Sequence, residues 1–71
     1  MEDRPDDLGR QIMTRRKSLR LTQDDLADLA RCSPRFVRAL EAGKRGVRLD
    51  KVRDVLGALG LELHLTARQT P

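Results

Sequence analysis

Two arginines three positions apart, Arg35 and Arg38, stand beside Pro34 and Ala39 in the segment with the clearest chemistry. Residues at this spacing share one face of a helix. A guanidinium offers a planar fork of N–H donors that matches the acceptors on guanine, while small neighbours such as Pro34 and Ala39 allow close approach and can touch a thymine methyl group. A DNA major groove about 12 Å wide admits one helix, and base edges are reached from its outer face near the N-terminus. Arg35 and Arg38 meet both conditions, and the competing reading is a solvated basic helix face.

Catalytic chemistry has much less to work with. The chain has one cysteine, Cys32, and one histidine, His64, with no glycine-rich phosphate loop and no metal-ligand spacing. Cys32 is expected to be a small buried turn residue and His64 an exposed residue of a terminal strand. No enzyme activity, metal or cofactor is expected. The longest nearly apolar run, Leu56 to Leu61, falls far short of the ~20 residues that span a bilayer, and no secretory signal is visible, so a cytoplasmic protein is expected.

Charge placement says more than the formal net charge of +4. Acids dominate residues 1–7 and 21–30, bases dominate 10–20, and residues 31–53 hold eight bases against two acids. Such a basic block is the footprint of a polyanionic partner.

These side chains need a scaffold, and 71 residues with 38% hydrophobic content and a single aromatic, Phe36, suit one small helical domain. Residues 1–5 form an acidic tail. A first helix is expected over about 6–19, burying Leu8, Ile12 and Leu19. A second runs over about 23–30, opened by Thr22 and Asp25 as a capping box and buried through Leu26, Ala27, Leu29 and Ala30. Ser33 then offers an N-cap and Pro34 suits the first position of a third helix, whose inner stripe is Phe36, Val37 and Leu40 and which Gly43 ends. After the basic connector 44–48, Val52, Val55, Leu56 and Leu59 mark a fourth helix closed by Gly60.

Beyond Gly60 the period changes to two, with Leu61, Leu63 and Leu65 alternating with Glu62, His64 and Thr66. A strand over 61–66 has no partner strand in this chain, so it is expected to pair with a second copy in a homodimer. The alternative is an extended tail whose leucines pack on the chain's own helices. Residues 67–71 form a second tail.

The stretch Leu21-Thr22-Gln23-Asp24-Asp25-Leu26-Ala27, followed by Ser33 to Gly43 with Leu40-Glu41-Ala42-Gly43-Lys44, resembles the helix-turn-helix domain of phage-repressor-like (Xre-type) regulators over residues 8–61. The resemblance implies a mainly α, lambda-repressor-like domain of four or five helices over residues 6–60. It implies that Gln23 anchors a DNA phosphate at the start of the second helix and that Pro34, Arg35, Arg38 and Ala39 face the bases, with Thr22, Ser33, Lys44 and Arg45 as further candidate DNA-binding residues. Gln23 would have to reach outward past Asp24 and Asp25. The resemblance also pairs Arg16 with Glu41 as a partly buried structural ion pair. Arg31 stands where the family has a left-handed glycine, and Arg20 replaces a second glycine, so either the turn differs here or strain of roughly 1 kcal/mol is tolerated.

Within that family, the run from Val47 to Leu65 resembles HipB-like antitoxins. That similarity implies a nucleoid-associated bacterial repressor acting on its own pseudo-palindromic operator, dimerised through Leu61, Leu63 and Leu65, with a HipA-like kinase toxin as partner. The alternatives are an Xre-type repressor without a toxin, or an interaction module whose basic face contacts an acidic protein.

Overall fold

A computed structural model describes residues 5–64, with side chains from Leu8 onward. Four α-helices follow one another: α1 (Pro5–Ser18), α2 (Gln23–Ala30), α3 (Pro34–Glu41) and α4 (Leu49–Ala58). The chain is mainly α. Pro5 opens α1 one residue before the expected start, since its fixed φ suits a first helical turn.

Local chemistry sets the middle boundaries. The Thr22 side chain accepts the Asp25 backbone N–H at 2.9 Å, and the Asp25 carboxylate accepts the Thr22 N–H at 2.9 Å. Those backbone and side-chain hydrogen bonds from Thr22 hold the Asp25 carboxyl below its ordinary range. Ser33 Oγ accepts the Phe36 N–H at 3.1 Å, with Pro34 in the first turn behind it. Between these caps α2 ends at Arg31 in the left-handed conformation, φ 59°, with the Cys32 N–H returning to the Ala27 carbonyl. Arg20 is also left-handed, φ 61°. Both turns therefore keep the geometry that glycine favours and tolerate the strain of an arginine.

Ile12, Leu26, Ala27, Val37, Leu40, Val52, Val55, Leu56 and Leu59 meet in one core, with α2 packed against α3 and α4 and with α1 laid on α3. Two expected core leucines lie outside it. Leu29 is 59% exposed because the short α2 buries only the arc from Leu26 to Ala27, and at about 100° per residue Leu29 falls about 60° beyond it. Leu19 is exposed because α1 has already ended at Ser18.

Gly9 makes the crossing of α1 over α3 possible. A Cβ there would collide with the backbone carbonyl oxygen of Leu40 and come within 2.6 Å of that of Glu41. Only a glycine lets α1 approach the C-terminal end of α3 this closely.

Residues 61–64 carry no regular secondary structure, so the strand expected from Leu61 onward is not present among the described residues. Leu61 is half-buried against the core, and its N–H bonds to the Leu56 carbonyl at 2.8 Å. Leu65, Thr66 and residues 67–71, with the rest of the expected strand and tail, lie outside the described residues, as do residues 1–4.

Candidate nucleic-acid interface

The helices α2 and α3 are joined by only Arg31, Cys32 and Ser33, so the orientation of α3 is set by that turn and by what holds its far end. Val37, Leu40 and Glu41 are buried, whereas Pro34, Arg35 and Arg38 are exposed and Ala39 is half-buried. The eight residues of α3 thus divide into an anchored face and an outward face.

Glu41 is the centre of the anchor, and its side chain is 4% exposed. Arg16 of α1 donates from Nε to Glu41 Oε2 at 2.7 Å and from Nη2 to Oε1 at 3.1 Å, while its Nη1 donates to the Leu21 carbonyl at 2.8 Å. The hydrogen bond and attraction from Glu41 raise the Arg16 pKa above its ordinary value against the effect of burial, so the guanidinium stays charged. Gln23 completes the cluster, its Nε2 donating to Glu41 Oε1 at 3.0 Å. This differs from an outward reach past Asp24 and Asp25: the Gln23 side chain turns toward α3. Among the described residues no buried side-chain nitrogen or oxygen lacks a partner.

This arrangement sorts the basic residues by use. Arg16 is consumed by Glu41, Arg15 donates from Nε to the Leu59 carbonyl at the end of α4 at 2.9 Å, and Arg48 forms a fork with Asp50 at 2.7 and 3.2 Å. That fork holds the Asp50 carboxyl below its ordinary range. Arg35, Arg38, Lys44 and Arg45 are exposed and have no ion-pair partner among the described residues. Burying Glu41 also removes the one acid of α3 from its surface, which leaves the outward face purely cationic.

Arg35 and Arg38 are one turn apart, a rise of about 4.5 Å along the axis, close to the ~3.4 Å step between base pairs. A shallow groove runs beside them, bounded by Arg35, Phe36 and Ala39 of α3 and by Lys44, Val47 and Lys51 across the connector. The hydroxyls of Thr22 and Ser33 already accept capping N–H groups, so these exposed residues shape the helix starts from which α2 and α3 face outward. Cys32 is half-buried, and burial pushes its thiol pKa up.

Residues 7–69 match the helix-turn-helix domain family. The chain belongs to that family. In its terms α2 and α3 are the helix-turn-helix pair. The chain is also similar to an uncharacterized HTH-type transcriptional regulator, y4mF, of Sinorhizobium fredii (strain NBRC 101917 / NGR234), with 40% identity over 63 residues, 89% of this chain and 83% of that protein. No helix among the described residues is long and apolar enough to cross a membrane.

Three residues that hold the site escape sequence reading. Gly9 and Arg15 act through partners far along the chain, Leu40 with Glu41 and Leu59 respectively. Lys51 joins the groove beside α3 from the first turn of α4. Only Gly9 leaves a trace, as an isolated glycine inside a helical pattern, which commonly marks close packing.

Proposed function

We propose that the protein is a sequence-specific double-stranded DNA-binding transcriptional repressor, with α3 entering the major groove. The observation that carries this is the outward face of α3, where Arg35 and Arg38 are exposed without ion-pair partners while the helix's own acid is buried against Arg16. Arg35 and Arg38 read guanines, Pro34 and Ala39 allow the approach, and Lys44 and Arg45 hold phosphates from the connector. Thr22 and Gln23 set the N-terminus of α2 against the backbone, where N–H groups favour phosphate. The name of the rhizobial relative supports a regulatory role.

A homodimer joined through Leu61, Leu63 and Leu65 places two such helices about one turn of DNA apart, roughly 34 Å, and so fits a pseudo-palindromic operator. Selection from a random duplex pool followed by binding titrations at several salt concentrations tests the proposal. Inverted repeats and a steep loss of affinity with salt are expected. Binding with no sequence preference, or none at low salt, would favour the interaction-module alternative.

The antitoxin role is a narrower reading supported by the similarity of Val47 to Leu65 to HipB-like proteins. It predicts a stable complex with a HipA-like kinase from the same operon, and a repressor that binds its operator with no such partner is the result against it.

A further inference from the structure

Among the described residues two that are not glycine hold a positive φ, and both are arginines, Arg20 at 61° and Arg31 at 59°. Glycine adopts this conformation without the Cβ clash that an arginine meets, so each position carries strain that a glycine would relieve. A backbone outlier that persists in this way points to a use for its side chain. Arg31 has such a use within the chain. It follows α2 directly, and because the last turn of α2 holds no base, its guanidinium complements the carbonyl end of that helix. Arg20 has none. The last turn of α1 already holds Arg15, Arg16 and Lys17, so a fourth cation just past Ser18 adds like-charge repulsion there. Arg20 is exposed, and among the described residues it has no ion-pair partner.

On the far side of Arg20 lies the start of α2, which the function proposed above sets against the DNA backbone. The residues there are poorly suited to that task by themselves. Asp24 and Asp25 are exposed carboxylates that repel a polyanion, and the Gln23 amide is turned to Glu41. Residues 21–26 contain no base at all. Arg20 stands two residues before Thr22, at most about 7 Å along the backbone, a span that an extended arginine side chain covers. We propose that Arg20 is a phosphate-binding residue, its guanidinium gripping the DNA backbone at the start of α2 and offsetting Asp24 and Asp25. The inference rests on the DNA reading and deepens it, by assigning to the left-handed turn after α1 the cation that the α2 contact otherwise lacks. Arg31, about 12 Å away at the other end of α2, takes no part.

Titration of the full chain with a mixed-sequence duplex over a range of salt, together with thermal melts, tests the proposal. Arg20→Gly should move the two readouts in opposite directions. Its thermal midpoint should rise by several degrees as the strain is lost. Its salt slope should fall by about one unit, and its affinity at about 0.1 M salt should drop about fivefold to tenfold, for all sequences alike. Arg20→Lys should keep the midpoint of the unaltered protein and most of its slope, because an ammonium still neutralises one phosphate. Arg31→Gly should raise the midpoint and leave the slope unchanged. A slope that Arg20→Gly leaves intact, a midpoint that it does not raise, an Arg20→Lys variant as weak as Arg20→Gly, or an equal loss in Arg31→Gly would each overturn the assignment alone. An unaltered chain that binds no duplex even at low salt would instead overturn the DNA reading and this contact together.

Discussion

Arg16 and Glu41 hold α1 to the end of α3, and their removal can be given a magnitude. Arg16→Met takes away three hydrogen bonds, to Glu41 Oε1, Glu41 Oε2 and the Leu21 carbonyl, and leaves a carboxylate that is 4% exposed with only the Gln23 amide. Breaking a buried pair from one side costs about 3–5 kcal/mol. A domain of 71 residues has about 4–10 kcal/mol in total, so this variant should be largely destabilised at room temperature. Glu41→Gln should cost a similar amount, about 3–5 kcal/mol, because one accepting oxygen becomes an NH2 donor that faces N–H donors and the buried guanidinium loses its counter-charge. The double variant strands neither charge and should cost less than the two singles added, with a coupling of about 0.5–3 kcal/mol. Urea unfolding followed by circular dichroism at neutral pH yields all four corners of the cycle. Additivity to within about 0.5 kcal/mol would show that the two side chains do not act as one unit, and the account of how α3 is held would fail.

Gly9→Ala should destabilise the fold by about 3 kcal/mol or more, because the added methyl meets backbone carbonyls that cannot rotate away; a thermal midpoint close to that of the unaltered protein would refute the close crossing. Arg35→Ala and Arg38→Ala should each lose about 1–3 kcal/mol of operator binding and relax preference at particular base positions, whereas Arg45→Ala should weaken all sequences alike and lower the salt slope by about one unit. Identical selected sequences for all three variants would reduce both α3 arginines to phosphate contacts. Asp25 has a folded pKa below its unfolded value of about 3.9, so its contribution is present above that pH and is lost as pH falls through the lower folded value. Thermal melts across the acid range should therefore show the unaltered protein losing its advantage over Asp25→Asn below about pH 4, and a gap that stays constant to strong acid would contradict the shift.

What the sequence disclosed and what it hid divide along a physical line. The caps at Thr22 and Ser33 were legible because each is a bond between residues three apart, and such chemistry is written locally. The inner stripe of α3 was legible for the same reason, since periodicity alone separates Val37 and Leu40 from Arg35 and Arg38. Leu29 misled because a helix of eight residues buries a narrow arc, and its edges are fixed by neighbours rather than by the helix's own pattern. The turn of Gln23 toward Glu41 and the bond from Arg15 to Leu59 join elements far apart in the chain, so no window of sequence contains both partners. Gly9 belongs with them: its spacing showed a glycine within a helix, but not which backbone would come to rest against it.

The division of α3 into an anchored and an outward face also has an evolutionary consequence. Every residue that fixes the angle of the helix, from Glu41 and its partners to Val37 and Leu40, is absent from the surface where Pro34, Arg35 and Arg38 stand. Exposed positions without such ties usually change stability by less than about 0.5 kcal/mol when substituted. If those outward positions read DNA as proposed, drift there rewrites which sequence is recognised while the scaffold beneath is inherited unchanged. Duplicated copies of such a gene could part company in the targets they serve through a few surface substitutions, with no intermediate that fails to fold.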